Sequence, residues 1–75
     1  MGIQVFAERL KALREEKGIS KRGLAAELGM SHVAIFHYER GERVPDIVVA
    51  KKFADYFNTT SDYLIGLTDE RYRKG

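Results

Sequence analysis

A chain of 75 residues forms one small domain, which buries only about 60% of the surface of its unfolded chain and so has a modest core. The 44% of hydrophobic and 32% of charged residues are typical of a compact, soluble helical domain and exclude a disordered chain. Cysteine is absent, which excludes disulfides and thiolate metal sites, and the net charge of +2 is far below that of a histone-like polycation.

The first predicted helix covers residues 5–17. Phe6, Leu10 and Leu13 lie on one side of it at the spacing i, i+4, i+7, and Gly18 is expected to end it. A second helix should follow Ser20, which is a typical N-cap residue. Gly23 then stands where a capping box would place glutamate or glutamine, at a cost of about 0.5–1 kcal/mol of helix stability relative to alanine.

Residues 21–40 hold two short amphipathic segments that are separated by Gly29. Ser31 can cap the second segment, which we predict to be a helix over residues 32–40 that Gly41 ends. The apolar residues at helical spacing are Leu24, Ala25 and Leu28 in one segment, and Ile35 and Tyr38 in the other. Two helices joined so tightly must cross at a steep angle, which predicts a helix-turn-helix.

The opposite side of the third predicted helix carries an unusual set of residues: His32, Val33, Phe36, His37 and Arg40. Apolar and imidazole side chains beside an arginine indicate a contact surface. The alternative is that the patch is buried against another part of the chain.

Two further helices complete the predicted fold. Asp46 should cap the fourth, whose buried face is predicted to be Ile47, Ala50, Phe53, Ala54 and Phe57, with Asn58 closing it. Thr60 or Ser61 should cap the fifth, with Tyr63, Leu64 and Leu67 packing back around Gly66. We therefore predict an all-α domain over residues 1–68, with five helices around one core. Residues 69–75 would be a charged tail, either a frayed end or the start of a linker.

Enzymatic chemistry finds no support in the sequence. Glu15 and Glu16 are adjacent, so they diverge by about 100° on a helix. His32 and His37 are five residues apart, whereas a helical metal site prefers histidines at i and i+4. We expect no catalytic activity, no metal and no cofactor, and no small-molecule site is evident. The longest aliphatic run, residues 47–50, is too short to span a membrane, so we expect a cytoplasmic protein.

Taken together, these residues resemble the helix-turn-helix of phage-repressor (Cro/C1-type, or Xre) transcription regulators. The resemblance covers about residues 5–67, and the joint spacing of its motifs is more specific than any one of them. The matching motifs are Leu24-Ala25, Leu28-Gly29, Ser31, Ile35, Tyr38-Glu39-Arg40-Gly41 and Asp62-Tyr63-Leu64-Ile65-Gly66. Lys21 departs from the family, which usually has glutamine there.

The resemblance implies a compact bundle of the lambda-repressor-like type and sequence-specific binding of double-stranded DNA. The protein would be a transcriptional regulator, expected to be a repressor, that binds a palindromic operator as a homodimer with its third helix in the major groove. Base-reading residues would be His32, Val33, Phe36 and His37, and phosphate-binding residues would be Lys21, Arg22, Arg40 and Arg43. A structural ion pair would join Arg14 to Glu39.

One alternative function remains open. The exposed face of the third helix could bind a partner protein without DNA, as an adaptor does. Steep salt dependence would separate the two, because phosphate contacts produce it and an apolar patch does not. Helices 4 and 5 face away from the expected DNA side, so Tyr56 and Phe57 are candidates for a dimer contact.

Overall fold

The computed structural model describes residues 3–72, and these form five α-helices and no β-strand. The helices are α1 (Ile3–Lys17), α2 (Lys21–Leu28), α3 (His32–Glu39), α4 (Ile47–Tyr56) and α5 (Ser61–Leu64). The predicted all-α, five-helix class is confirmed. Residues 1–2 and 73–75, which include the end of the predicted tail, lie outside the described residues.

Four of the helices begin at a side-chain oxygen that accepts a backbone N–H of the first turn. The pairs are Ser20 with Gly23 (2.9 Å), Ser31 with Val33 (3.1 Å), Asp46 with Val49 (2.8 Å) and Thr60 with Tyr63 (3.0 Å). The predicted caps are therefore confirmed, with Thr60 rather than Ser61 before α5. Each such cap stabilises its helix by about 1 kcal/mol.

All five helices end in the same backbone motif. A residue with φ between 54° and 85° follows each helix, and its N–H donates to the carbonyl three residues back. The next N–H donates to the carbonyl five residues back, which completes a Schellman motif. The residues at positive φ are Gly18, Gly29, Gly41, Asn58 and Gly66. The motif turns the chain back over the last helical turn.

Three aromatic rings from three helices form the centre of the core. Phe6 of α1, Tyr38 of α3 and Phe53 of α4 have ring centroids 5.7–6.0 Å apart, and two of the three pairs meet edge to face. Such pairs add about 0.5–1.5 kcal/mol each to the stabilisation from burial. The rest of the buried cluster is Leu10, Leu13, Leu24, Ala25, Ile35, Ala54 and Leu64. Because Tyr38 and Ile35 hold one side of α3 in this core, its opposite side faces outward.

Two predicted core residues lie instead at the surface. Ile47 is 81% exposed and Leu67 is 62% exposed. Phe57 is only half-buried, because α4 ends at Tyr56 and Phe57 is its C-terminal cap residue. Ile47 occupies the first position of α4, at the mouth of a surface cleft, where no described element covers it.

Gly23 leaves space for the side chain of Ile19, a role that the sequence did not predict. A Cβ built on it would lie 2.9 Å from Cγ1 of Ile19, which packs against the core. That distance is shorter than real Cβ contacts allow. The glycine therefore admits Ile19 at the start of α2, which offsets its cost in helix propensity.

The segment 68–72 folds back along α1. Arg9 donates to the carbonyl of Thr68 and to the carboxylate of Asp69, both at 2.8 Å. The buried Thr59 hydroxyl donates to the carbonyl of Arg71, whose guanidinium pairs with Glu16 and lowers the pKa of that carboxyl. The predicted tail thus lies on the domain as far as it is described, and the predicted boundary at residue 68 stays a prediction.

Candidate nucleic-acid interface

Helices α2 and α3 are joined by three residues, Gly29 to Ser31, and pack against each other through small and aliphatic side chains. Gly29 has a φ of 66°, a backbone conformation that glycine adopts without strain. Ala25 is almost fully buried and allows the two helices to approach closely. Helix α3 also packs against α1, so it is held on two sides.

The outward side of α3 forms what we call the recognition surface: His32, Val33, Phe36 and His37. Val33 is 49% exposed and Phe36 is 42% exposed, and both histidines are accessible to solvent. The alternative that another part of the chain buries this patch does not hold for residues 3–72. Phe36 instead contacts the C-cap residue of α3, with the guanidinium of Arg40 5.2 Å from its ring centre.

Four cations bracket the helix-turn-helix, and we call them the cationic rim. Lys21 and Arg22 are the first two residues of α2, and Arg40 and Arg43 follow the end of α3. Arg22, Arg40 and Arg43 are exposed, whereas Lys21 is half-buried. The guanidinium of Arg43 lies 5.4 Å from the ring centre of Tyr38, within the range of a cation–π contact. The rim thus places positive charge at the start of α2 and just after the end of α3.

The structure brings Arg14 and Glu39 together in a two-point ion pair. Nε of Arg14 donates to Oε2 of Glu39 at 2.6 Å, and Nη2 donates to Oε1 at 3.0 Å. The third donor, Nη1, binds the carbonyl of Ile19 at 3.0 Å. The side chains are only 11% and 3% exposed, and the carboxylate raises the pKa of Arg14 above its ordinary value. The pair ties the end of α3 to α1 and so sets the angle of the recognition surface.

The helix-turn-helix family model (HTH_3) matches residues 10–64. The chain belongs to this family, in its Cro/C1-type branch. It is 33% identical over 64 residues to YazB of Bacillus subtilis, an HTH-type transcriptional regulator, covering 85% of this chain and 93% of that one. It is 32% identical to the regulator ImmR of the same organism over 61 residues, covering 81% of this chain and 48% of ImmR.

Solved structures agree with this family assignment. The controller protein C.AhdI of the restriction-modification system of Aeromonas hydrophila superposes with a TM-score of 0.75 at 31% identity, over 83% of this chain and 94% of that one. An HTH_3 family regulator from Vibrio cholerae gives a TM-score of 0.75 at 28% identity, over 87% of this chain but 36% of its own. The first is a controller protein of a restriction-modification system, and the second is a transcriptional regulator.

One residue of this helix-turn-helix site was not predicted. Oε1 of Glu42 lies 2.8 Å from Nδ1 of His37, and Oε2 accepts a hydrogen bond from Nε of Arg40 at 3.1 Å. His37, and to a lesser extent Arg40, lowers the pKa of the Glu42 carboxyl. The signal was present in the sequence, because a Schellman motif with glycine at position 41 brings residue 42 against residue 37.

An apolar cleft of about 300 Å³ lies outside the helix-turn-helix. Its apolar lining comes from α1, the segment before α4, α4 itself and α5: Ile3, Phe6, Val44, Pro45, Ile47, Ala50 and Ile65. No residue of α2 or α3 contributes to it. Val44, Ile47 and Val48 are 61%, 81% and 64% exposed at or beside its rim. Tyr56 and Phe57, the predicted dimer contact, are half-buried and pack against the core.

Residues 3–72 contain neither a metal-binding cluster nor a membrane-spanning helix. No cluster of three or more histidine, cysteine, aspartate or glutamate residues is placed to hold a metal ion in that part of the chain. None of the five helices has both the length and the apolar character needed to cross a bilayer.

Proposed function

We propose that this protein is a cytoplasmic repressor that binds a palindromic operator as a homodimer, with α3 of each copy in the major groove. The observation that carries the proposal is the recognition surface itself, which is solvent-exposed and belongs to a helix-turn-helix with the cationic rim at its start and just after its end. Its orientation relative to α1 is held by the pair Arg14–Glu39. Membership of a family whose named relatives are transcriptional regulators supports the same conclusion.

The recognition surface offers three kinds of contact to base edges. Val33 has no hydrogen-bonding group, so it suits the methyl group of thymine. His32 and His37 can accept from or donate to base edges, according to their protonation. Phe36 provides an apolar ring that suits methyl groups or sugars.

The cationic rim would fix the register of the protein on the duplex. Lysine and arginine side chains that contact phosphates position a protein without reading its sequence. Lys21 and Arg22 lie at the N-terminus of α2, where the helix dipole and free backbone N–H groups also favour a phosphate. Arg40 and Arg43, which follow the C-terminus of α3, would contact other phosphates of the DNA backbone.

A second copy of the chain is the proposed occupant of the apolar cleft. Val44 and Ile47 line the cleft and are 61% and 81% exposed, and Val48, the next residue of α4, is 64% exposed. A symmetric pair would bring these residues against the same residues of the second copy, so that each of them is covered once in each copy. Because no residue of α2 or α3 lines the cleft, such a dimer leaves both recognition surfaces free for two half-sites.

Selection of bound duplexes from a random pool tests the function. The expected result is a palindromic consensus whose half-sites are separated by about one helical turn, or 10–10.5 base pairs. Selection of no preferred sequence, together with affinity that is insensitive to salt, would contradict the proposal. That outcome would favour the adaptor that binds a partner protein through α3.

Replacing Lys21 by alanine should flatten the salt dependence of DNA binding. Each lost phosphate contact lowers the slope of log affinity against log salt by about one unit, and a symmetric dimer counts it twice. Arg40→Ala should lower the slope less, because Glu42 already partly neutralises Arg40. Lys11→Ala, exposed on α1 outside the rim, is the matched control. Equal slopes for the Lys21 and Lys11 variants would show that Lys21 does not contact a phosphate.

Replacing Val33 by serine should relax the preference for one A·T pair in each half-site, at a cost of roughly 1–3 kcal/mol. The physical reason is the loss of contact with the thymine methyl group. Binding to duplexes in which uracil replaces that thymine provides the control. The parent protein should bind the uracil duplex more weakly, whereas the variant should bind both duplexes alike. An equal loss in both proteins would place Val33 away from the base.

A further inference from the structure

We propose that Glu42 is a specificity-determining residue of the recognition surface. Its carboxylate holds Nδ1 of His37, so that Nε2 is the ring nitrogen that meets the bases. This role rests on the proposed function, because it assigns the way in which His37 contacts DNA. It predicts that Glu42 improves discrimination between sequences while weakening binding to DNA of any sequence.

The backbone places Glu42 beside His37 independently of any other contact. Gly41 has a φ of 73°, and the N–H of Glu42 donates to the carbonyl of His37 at 3.0 Å. In a Schellman motif these two positions usually make an apolar contact. Here the contact is polar, with Oε1 of Glu42 2.8 Å from Nδ1 of His37. Glu42 therefore contacts His37 twice, through its carboxylate and through its backbone N–H.

The chemistry of the carboxylate decides which nitrogen is left for DNA. An ionised carboxylate only accepts hydrogen bonds, so Nδ1 of His37 must carry a proton. A neutral ring then presents Nε2 as an acceptor, which suits the amino group of adenine or cytosine in the major groove. A charged ring presents Nε2–H as a donor, which suits O6 or N7 of guanine. In both states Nε2 makes the contact and the ring cannot flip without losing Glu42.

Glu42 also reduces the positive charge of the recognition surface. Its other oxygen binds Arg40 at 3.1 Å, and Arg40 in turn lies over the ring of Phe36. A negative charge at this point repels DNA phosphates and competes with them for Arg40. A surface ion pair by itself contributes little to stability. Loss of Glu42 should therefore affect DNA binding far more than folding.

Variants at position 42 separate orientation from charge. The base pair that His37 contacts is first located as the one whose preference disappears in His37→Ala. In Glu42→Ala, discrimination at that pair should fall about 5- to 10-fold per half-site, while affinity for unrelated DNA rises several-fold. In Glu42→Gln the amide oxygen can still accept from Nδ1–H, so discrimination should be kept while affinity for unrelated DNA rises. Glu8→Ala, an exposed glutamate on α1, controls for the change in net charge.

Variants at position 37 identify the nitrogen directly. The amide of glutamine reaches about as far as Nε2, and that of asparagine about as far as Nδ1. His37→Gln should keep part of the preference, and His37→Asn should lose it. Nitrogen chemical shifts of the imidazole in the free protein should independently show a proton on Nδ1.

The outcomes distinguish this role from the proposed function. A parent protein that selects no sequence overturns the proposed function, and the role of Glu42 with it. A parent that selects a sequence while Glu42→Ala discriminates equally well overturns only the role of Glu42. Retention of the preference in His37→Asn, or its loss in Glu42→Gln, would also overturn that role.

Discussion

Replacing Arg14 by alanine should lower the free energy of unfolding by about 3–5 kcal/mol, because it leaves the buried carboxylate of Glu39 without its partner. The side chain of Glu39 is only 3% exposed, and its carboxylate loses both hydrogen bonds from Arg14. A domain of this size has about 5–15 kcal/mol of stability in total. Thermal unfolding followed by circular dichroism should therefore show a fall in Tm of more than about 12 °C.

A double-mutant cycle tests whether this loss comes from the pair. Glu39→Ala should also destabilise the domain, and Arg14→Ala with Glu39→Ala should cost less than the sum of the two. Lys51→Ala provides the matched control, since Lys51 and Asp55 form an exposed pair at 3.4 Å. Its effect should stay below about 0.5 kcal/mol. Strict additivity in the cycle would mean that Arg14 and Glu39 do not stabilise each other.

The helices of this fold could be predicted because their ends are marked locally. Ser20, Ser31 and Asp46 accept the N–H groups that would otherwise be unpaired, and glycines at positive φ close the other ends. Helix α1 is already formed at Ile3, the first described residue, rather than from the predicted Val5.

Burial was harder to predict than helix position. The spacing of Ile47 relative to Ala50 and Ala54 puts all three on one side of α4, yet only the two alanines are covered. Hydrophobic periodicity indicates which residues avoid water, and it cannot tell a core from an interface with a second copy. The sequence does not show that α1 and α5 form a cleft beside Ile47, and this cleft is what makes its exposure relevant to a dimer.

Part of the candidate site could likewise be predicted from the sequence, and part could not. The outward side of α3 follows from its period of 3.6 residues, so His32, Val33 and Phe36 could be named from the sequence. Glu42 lies outside the helix and has no place in that pattern. It reaches His37 only because Gly41 reverses the chain. The rule for Schellman motifs contains this contact, and applying it to positions 37 and 42 would have predicted the pair.

Replacing Ile47 and Val48 by serine should raise the dissociation constant of the proposed homodimer about 100- to 1,000-fold. The two side chains are 81% and 64% exposed in one copy, so their truncation should leave the core and the fold intact. In a symmetric interface the change removes four apolar side chains. At about 1 kcal/mol for each partly buried side chain, the loss is roughly 3–4 kcal/mol. Sedimentation equilibrium measures it directly.

DNA affinity provides the second measurement for this double variant. Its affinity for an isolated half-site should equal that of the parent, because α2 and α3 are unchanged, whereas its affinity for the full palindrome should fall steeply. Tyr72→Ser removes another exposed hydrophobic residue, 66% accessible and outside the cleft lining, and should change neither value. A variant that remains dimeric would show that the two copies meet elsewhere. If affinity fell equally on half-sites and full sites, Ile47 and Val48 would instead contact DNA. That result would contradict a dimer interface that is separate from the recognition surface.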